Sequence, residues 1–103
     1  MDRIETLKEF LKQDPTDSFL KHALALEYIK TGDDLTAQKL FEDILQKDPG
    51  YIGSYYHLAK LFERNGDTAT AIIWYEKGME QAKKARENHA YNELRSAYEE
   101  LTF

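Results

Sequence analysis

The sequence repeats itself with a period of 34 residues. The turn Thr31-Gly32-Asp33 returns as Asn65-Gly66-Asp67, and Asp14-Pro15 returns as Asp48-Pro49. Apolar positions keep the same register: Leu24 with Leu58, Ala37 with Ala71, Phe41 with Tyr75, and Leu45 with Met79. Because one register holds at so many positions, composition alone does not explain it. The sequence therefore predicts an array of stacked structural repeats.

Each repeat has the pattern of two antiparallel helices. Leu20, Leu24 and Tyr28 follow one another at four-residue steps, which places them on one face of a helix. Gly32 marks the end of that helix, since glycine adopts the left-handed conformation without a steric penalty. Asp33 follows at once and is placed to cap the next helix. The second repeat contains the same Gly-Asp pair.

Prolines and an asparagine mark the remaining helix ends. The residue before a proline is disfavoured in the α conformation, so Pro15 and Pro49 end the helices that precede them, and Asp17 can cap the next helix. The lack of Gly and Pro between 80 and 88 allows helices five and six to be continuous. We expect a break near Asn88, because a new apolar stripe begins at Ala90 and asparagine tolerates a left-handed turn. The expected helices span 2–12, 17–31, 34–47, 51–65, 68–85 and 89–101.

These residues resemble the tetratricopeptide repeat (TPR) family, whose pattern is Trp-x2-Leu-Gly-x2-Tyr, then Ala-x3-Phe, then Pro. The first repeat gives Lys21-x2-Leu24-Ala25-x2-Tyr28, Ala37-x3-Phe41 and Pro49. The second gives Tyr55-x2-Leu58-Ala59-x2-Phe62, Ala71-x3-Tyr75 and Lys83. The alanines let paired helices approach closely, and the large aromatic residues fill the space between them. The resemblance implies an all-α, right-handed solenoid of about six antiparallel helices.

The departures from this pattern define the expected organisation. Lys21 stands where the family has Trp, which suggests a more exposed corner in the first repeat. Lys83 replaces the proline, which predicts a long fifth helix without a sharp end. The last segment does not keep the 34-residue register, and it has the polar outer face of an end helix. We expect one domain with a half repeat (1–15), two repeats (16–49 and 50–83) and a C-terminal capping helix (84–103).

The resemblance also implies where a partner would bind, since the first helix of each pair lines a concave face. The inner positions are Phe19, His22, Leu26, Ile29, Tyr56, Lys60 and Glu63, with Arg64 at the rim. Such a surface suits a peptide or helix of a partner protein, with apolar anchors in the groove and charges that set orientation. Lys60 and Arg64 favour an acidic partner segment. Alternatively, Phe19, Leu26 and Ile29 pack against residues 1–15 or the last helix.

One subset of the family grips the C-terminal carboxylate of heat-shock chaperones with Lys and Asn at set inner positions. This chain has His22, Leu26 and His57 at those positions. We therefore expect no carboxylate clamp. Peptide binding of other kinds remains the prediction.

Composition argues against several other functions. The formal net charge of −5 disfavours nucleic acid and anionic membranes as partners, and no apolar run approaches the roughly 20 residues of a membrane span. The chain has no cysteine, and its three histidines share no metal-site spacing, so we expect neither metal nor cofactor. Phosphate loops and nucleophile motifs are absent, which predicts a protein that is not an enzyme. The first residues do not read as a targeting peptide, so we expect a cytoplasmic protein.

Two alternatives remain open at this stage. The chain can instead be a structural scaffold unit that self-associates, as a homo-oligomer, by stacking its terminal helices. Trp74, whose equivalent in the first repeat is Leu40, belongs either to the core or to a second interface.

Overall fold

A computed structural model describes residues 2–103 of the chain. Over that range the chain forms six α-helices and no strand. Their bounds are α1 (Arg3–Gln13), α2 (Ser18–Lys30), α3 (Asp34–Lys47), α4 (Gly53–Arg64), α5 (Thr68–Lys84) and α6 (Asn88–Thr102). The prediction of an all-α repeat fold is confirmed, and each expected helix agrees with an observed one to within about two residues.

The helices fall into two compact units. The first unit ends at Asp48 and contains α1, α2 and α3, with α2 packed on both of its neighbours. The second unit runs from Pro49 to Phe103 and contains α4, α5 and α6, with α5 packed on both of its neighbours. Each unit has its own buried residues.

Aspartates begin the helices at the predicted places. The side chain of Asp17 accepts a hydrogen bond from the backbone N–H of Leu20 at 2.9 Å. Asp33 and Asp67 accept from the N–H groups three residues further on, at 3.2 and 3.1 Å. These carboxylates satisfy N–H groups that have no partner within the helix, and they interact favourably with the helix dipole. The predicted capping roles are confirmed.

Three helices end in the same left-handed turn, but only two of the turns contain glycine. Gly32 and Gly66 have φ of 85° and 84°, as expected. The third is at Arg86, with φ of 58°, so the expected break near Asn88 is confirmed, but its left-handed residue is Arg86 and not Asn88. The Arg86 N–H donates to the carbonyl of Lys83 at 3.2 Å. Asn88 instead begins α6.

The core of the first unit contains a lysine. Lys21 retains only 9% exposure, so the expected exposed corner at this position is wrong. Its Nζ lies 2.6 Å from an Oδ of Asp43 in α3, and Lys47 approaches the same carboxylate at 3.3 Å. The hydrogen bond from Lys21 holds the pKa of Asp43 below its ordinary value. An ion pair therefore occupies the position that an aromatic side chain has in the family pattern.

The second unit is built around a close helix contact at Gly78. A Cβ added to Gly78 would lie 2.7 Å from Cβ of Tyr55 in α4 and 3.1 Å from Cδ1 of Leu94 in α6. Tyr55 is also held by its hydroxyl, which donates to the carbonyl of Pro49 at 2.6 Å. Because glycine has no side chain, α5 approaches both neighbours at this one position.

Replacing Gly78 with alanine is therefore expected to lower the free energy of unfolding. Overpacking typically costs about 1–3 kcal/mol, while alanine regains up to about 1 kcal/mol of helix propensity. We expect Gly78→Ala to destabilise by about 1–2 kcal/mol in urea denaturation. Glu80→Ala, at an exposed position of the same helix, is the control and should change stability by less than about 0.5 kcal/mol. A more stable Gly78→Ala protein would contradict the close contact.

Replacing Arg86 with glycine is expected to have the opposite effect. The left-handed conformation costs an L-residue about 1–2 kcal/mol, which exceeds the entropy that glycine adds to the unfolded chain. We expect Arg86→Gly to raise the free energy of unfolding by about 0.5–1 kcal/mol. Lys83→Gly, inside α5, should instead lower it by about 1 kcal/mol. Equal losses in the two variants would show that Arg86 carries no strain.

Candidate functional site

The last helix contains a third copy of the motif that begins each repeat. Tyr91-x2-Leu94-Arg95-x2-Tyr98 follows Tyr55-x2-Leu58-Ala59-x2-Phe62 at a distance of 36 residues instead of 34. The fifth helix explains the shift, since it continues to Lys84 where the first repeat has already ended before Pro49. We call α2, α4 and α6 the motif helices. The third one lies outside the 34-residue register, although its aromatic and leucine spacing is visible in the sequence.

The third motif helix brings new residues to the candidate site. With the 36-residue offset, the predicted inner residues of α4 correspond to Asn92, Ser96, Glu99 and Glu100 of α6. These four residues, together with Arg95, line a shallow recess of about 470 Å³. The predicted residues of α4 and these residues of α6 are called the α4–α6 face below: Tyr56, Lys60, Glu63, Arg64, Asn92, Ser96, Glu99 and Glu100.

The predicted residues of α4 form one connected group. The ring of Tyr56 lies edge-on to Tyr75 of α5, with 6.3 Å between centroids. The ammonium group of Lys60 lies 5.5 Å from the centroid of the Tyr56 ring and 3.3 Å from a carboxylate oxygen of Glu63. Arg64 is exposed at the end of the helix and also has an interaction partner. The structure thus brings Tyr56, Lys60 and Glu63 together.

A buried tyrosine connects this group to the helix behind it. Tyr75 has no exposed surface, and its hydroxyl donates a hydrogen bond to Oε2 of Glu63. Burial raises the pKa of Tyr75 far above its ordinary value of 10, and the carboxylates of Glu63 and Glu100 raise it further. The contribution of Glu100 shows that α6 brings a second carboxylate near this hydroxyl.

His57 lies where α4 and α6 are close to each other. Burial lowers the pKa of His57, and the nearby carboxylate of Glu93 in α6 opposes that change. The ring of His57 meets that of Tyr56 edge-on, with 5.7 Å between centroids. Burial therefore favours a neutral imidazole at the one predicted clamp position that lies in the second unit.

The four predicted residues of α2 lie on a more apolar surface of the first unit. Phe19 is 67% exposed, so it does not pack into the core. Leu26 and Ile29 are half-buried. The ring of His22 contacts Phe41 of α3 edge-on, with 5.4 Å between centroids. We call Phe19, His22, Leu26 and Ile29 the α2 face.

Trp74 is half-buried on α5. Its ring lies 6.1 Å from that of Tyr55, and the ammonium group of Lys77 lies 4.7 Å from its centroid. Trp74 therefore packs on α4 within its own unit while part of its ring meets a cation at the surface. Leu40, its equivalent in the first unit, is half-buried as well.

Comparison with known proteins decides the family. A model of the tetratricopeptide repeat matches residues 40–73. The chain is 38% identical to a tetratricopeptide repeat domain protein from Salinibacter ruber in its crystal structure, covering 84% of this chain and 96% of that one, with a TM-score of 0.80. The chain belongs to the tetratricopeptide repeat family. The resemblance stated from its motifs is confirmed.

Two further solved structures have the same fold. The solution NMR structure of the tetratricopeptide repeat domain protein from Salinibacter ruber shares 39% identity, covers 84% of this chain and 88% of that one, and has a TM-score of 0.81. A crystal structure of MamA shares 21% identity over 82% of this chain and 49% of that one, with a TM-score of 0.77. Among curated protein sequences, none matches this chain significantly.

Membership places the chain in a general functional class. Tetratricopeptide repeats are protein-interaction modules, and members of the family are in general non-enzymatic repeat scaffolds. Residues 2–103 include no cluster of three or more metal-ligating side chains. In the described part of the chain, no helix has the length and apolarity to cross a membrane. The cytoplasmic location stays a prediction.

The contact between Tyr75 and Glu63 predicts how stability responds to alkaline pH. Because the pKa of Tyr75 is raised in the folded protein, the unfolded chain loses this proton first. The free energy of unfolding should therefore fall above pH 10, by up to about 1.4 kcal/mol per pH unit for this one group. Below pH 10 the contribution of the protonated Tyr75 to the free energy of unfolding is fully present.

The test compares wild type with Tyr75→Phe from pH 8 to 11. The variant should be less stable by about 1 kcal/mol at pH 8, since it lacks the hydrogen bond, and its stability should fall less steeply above pH 10. Tyr91→Phe, which changes a half-exposed tyrosine of the same unit, is the matched control. Identical alkaline slopes for wild type and Tyr75→Phe would contradict the raised pKa.

Proposed function

We propose that this protein binds a peptide or a short helix of a partner protein through the exposed faces of its motif helices. The α2 face supplies apolar anchoring positions, and the α4–α6 face supplies an aromatic ring surrounded by charges. No carboxylate clamp takes part, since His22, Leu26 and His57 occupy the clamp positions. The role is that of a non-catalytic scaffold.

The recess on α6 is the observation that carries this proposal. Four of its five lining residues, all except Arg95, stand at the positions equivalent to those predicted on α4, although α6 lies outside the 34-residue register. Two neighbouring helices therefore present polar side chains from the same helical positions. An extended peptide or a helix makes contacts of this kind, with a few anchors and a polar surround.

The charges of the face indicate the chemistry of the partner. Lys60 and Arg64 on α4 have Ser96 and Glu100 as their equivalents on α6, so cations on one helix correspond to a hydroxyl and a carboxylate on the other. We therefore propose an acidic character, predicted from Lys60 and Arg64, only for the part of the partner that contacts α4. We expect a segment with an acidic residue near α4 and a basic residue near α6.

Peptide selection followed by affinity measurement tests the proposal. Peptides are selected from a random display library on the wild-type chain, and their dissociation constants are measured by calorimetry. Tyr56→Ala should weaken binding by about 1–2 kcal/mol, roughly a 5- to 30-fold change, because interface aromatics often contribute that much. Its melting temperature should fall much less than that of the core variant Leu58→Ala.

Ile73→Ala is the matched control, because it shortens an exposed apolar side chain of α5 outside both faces. It should leave the affinity unchanged. Selected peptides that bind Tyr56→Ala and Leu26→Glu as tightly as wild type would overturn the proposal, and so would a library that yields no binding peptide.

A further inference from the structure

One side of α6 is exposed although its equivalent is covered in the other motif helices. In the first unit, α2 uses this side to contact α3, where Lys21 pairs with Asp43 at 2.6 Å. The equivalent residues of α6 are Tyr91 and Arg95, and the Arg95 side chain is 60% exposed. The same side borders a groove of about 280 Å³ that is lined by Met79, Tyr91, Arg95, Tyr98, Glu99 and Phe103.

The first helix shows the complementary arrangement. In the 34-residue register, Leu7 and Leu11 of α1 correspond to Phe41 and Leu45 of α3. Helix α1 thus has the sequence pattern of the second helix of a repeat, which packs on the motif helix in each complete repeat. Phe10, at the position of the buried Ile44, is 53% exposed.

The two exposed helices are halves of one repeat pattern. The second unit ends with α6, a motif helix that has no second helix after it within residues 2–103. The first unit begins with α1, which has the sequence pattern of such a second helix. The occupant that best fits the exposed side of α6 is therefore α1 of a second copy, in the arrangement that α3 adopts on α2. Such a contact joins different surfaces of the two copies, so each copy keeps one free surface and further copies can add head to tail.

Arginines occupy the two positions where this contact needs small residues. In the complete repeats these positions hold Ala25 with Ala37 and Ala59 with Ala71, and all four side chains are fully buried. The same positions hold Arg95 in α6 and Arg3 in α1. Helix axes in close contact are only about 8–10 Å apart, which leaves no room for two guanidinium groups, and their like charges repel.

Each arginine is also held by its own chain. Arg95 Nε lies 2.8 Å from Glu99, and Arg3 Nε lies 3.5 Å from Glu27. The two side chains nonetheless remain 66% and 60% exposed, so both guanidinium groups occupy the surfaces where a second copy would dock. We infer that Arg3 and Arg95 prevent copies of this chain from stacking head to tail, with α1 of one copy on α6 of the next.

Mixing two single variants tests this inference directly. Arg3→Ala removes the arginine only from the contact surface of α1, and Arg95→Ala removes it only from that of α6. Each variant alone should sediment as a monomer, like wild type. Their equimolar mixture should form a one-to-one complex, with an affinity at least about tenfold above the self-association of either variant. The complex should stop at two copies, because its outer ends still present arginine.

The double variant Arg3→Ala/Arg95→Ala should form longer, concentration-dependent assemblies in sedimentation velocity. The control variant Lys39→Ala/Lys84→Ala also removes two positive charges, but from exposed positions of α3 and α5, and it should remain monomeric. Circular dichroism is used to check that each variant is folded. If the double variant does not fold, the mixture of the two single variants still tests the inference. Wild type that already assembles would overturn the inference. So would a mixture that remains monomeric.

Discussion

The close contact at Gly78 organises the whole second unit. It allows α5 to lie against Tyr55 of α4 and Leu94 of α6 at the same height along the helix. Both motif helices pack on α5, and their outer residues come near each other: Glu93 lies close enough to influence His57, and Glu100 to influence Tyr75. The candidate α4–α6 face depends on a residue that has no side chain and belongs to neither helix of that face.

The α4–α6 face is also held in place by its own polar contacts. Glu63 accepts a hydrogen bond from the buried Tyr75 and forms an ion pair with Lys60. The ammonium group of Lys60 also lies over the ring of Tyr56. Side chains that are already restrained lose little entropy when a partner binds. Exposed ion pairs contribute little energy themselves, so the aromatic and apolar groups carry the expected affinity. The charged groups determine orientation and partner choice.

Most of the fold could be predicted from local chemistry, because helix ends depend on single residues. The aspartate caps and the glycine turns are properties of a few adjacent residues, and they lie where the sequence places them. Arg86 could not be predicted, since arginine has no intrinsic preference for the left-handed conformation that it adopts here. Lys21 was misjudged for a related reason: its burial depends on Asp43, 22 residues away, which supplies the charge that makes a buried lysine tolerable.

The candidate site was partly predictable for the same reasons. The resemblance to the family implied the inner residues of α2 and α4, which keep the 34-residue register, but the longer α5 shifted the third motif and concealed the residues of α6. The family was recognisable because its motif describes packing: large residues beside small ones at helical spacing. A partner leaves no comparable pattern, since binding requires only that side chains be exposed and suitably charged.

The Lys21–Asp43 pair makes the two units chemically unequal. At the corresponding position the second unit has Tyr55, whose neutral hydroxyl bonds to a carbonyl group. The folded state keeps the pKa of Asp43 below 3.8, so that stabilisation is present above this pH and is lost as the pH falls further. Strong acid, below pH 3.8, is therefore expected to weaken the packing of α2 on α3, whereas the hydrogen bond between Tyr55 and Pro49 involves no carboxylate that acid could protonate.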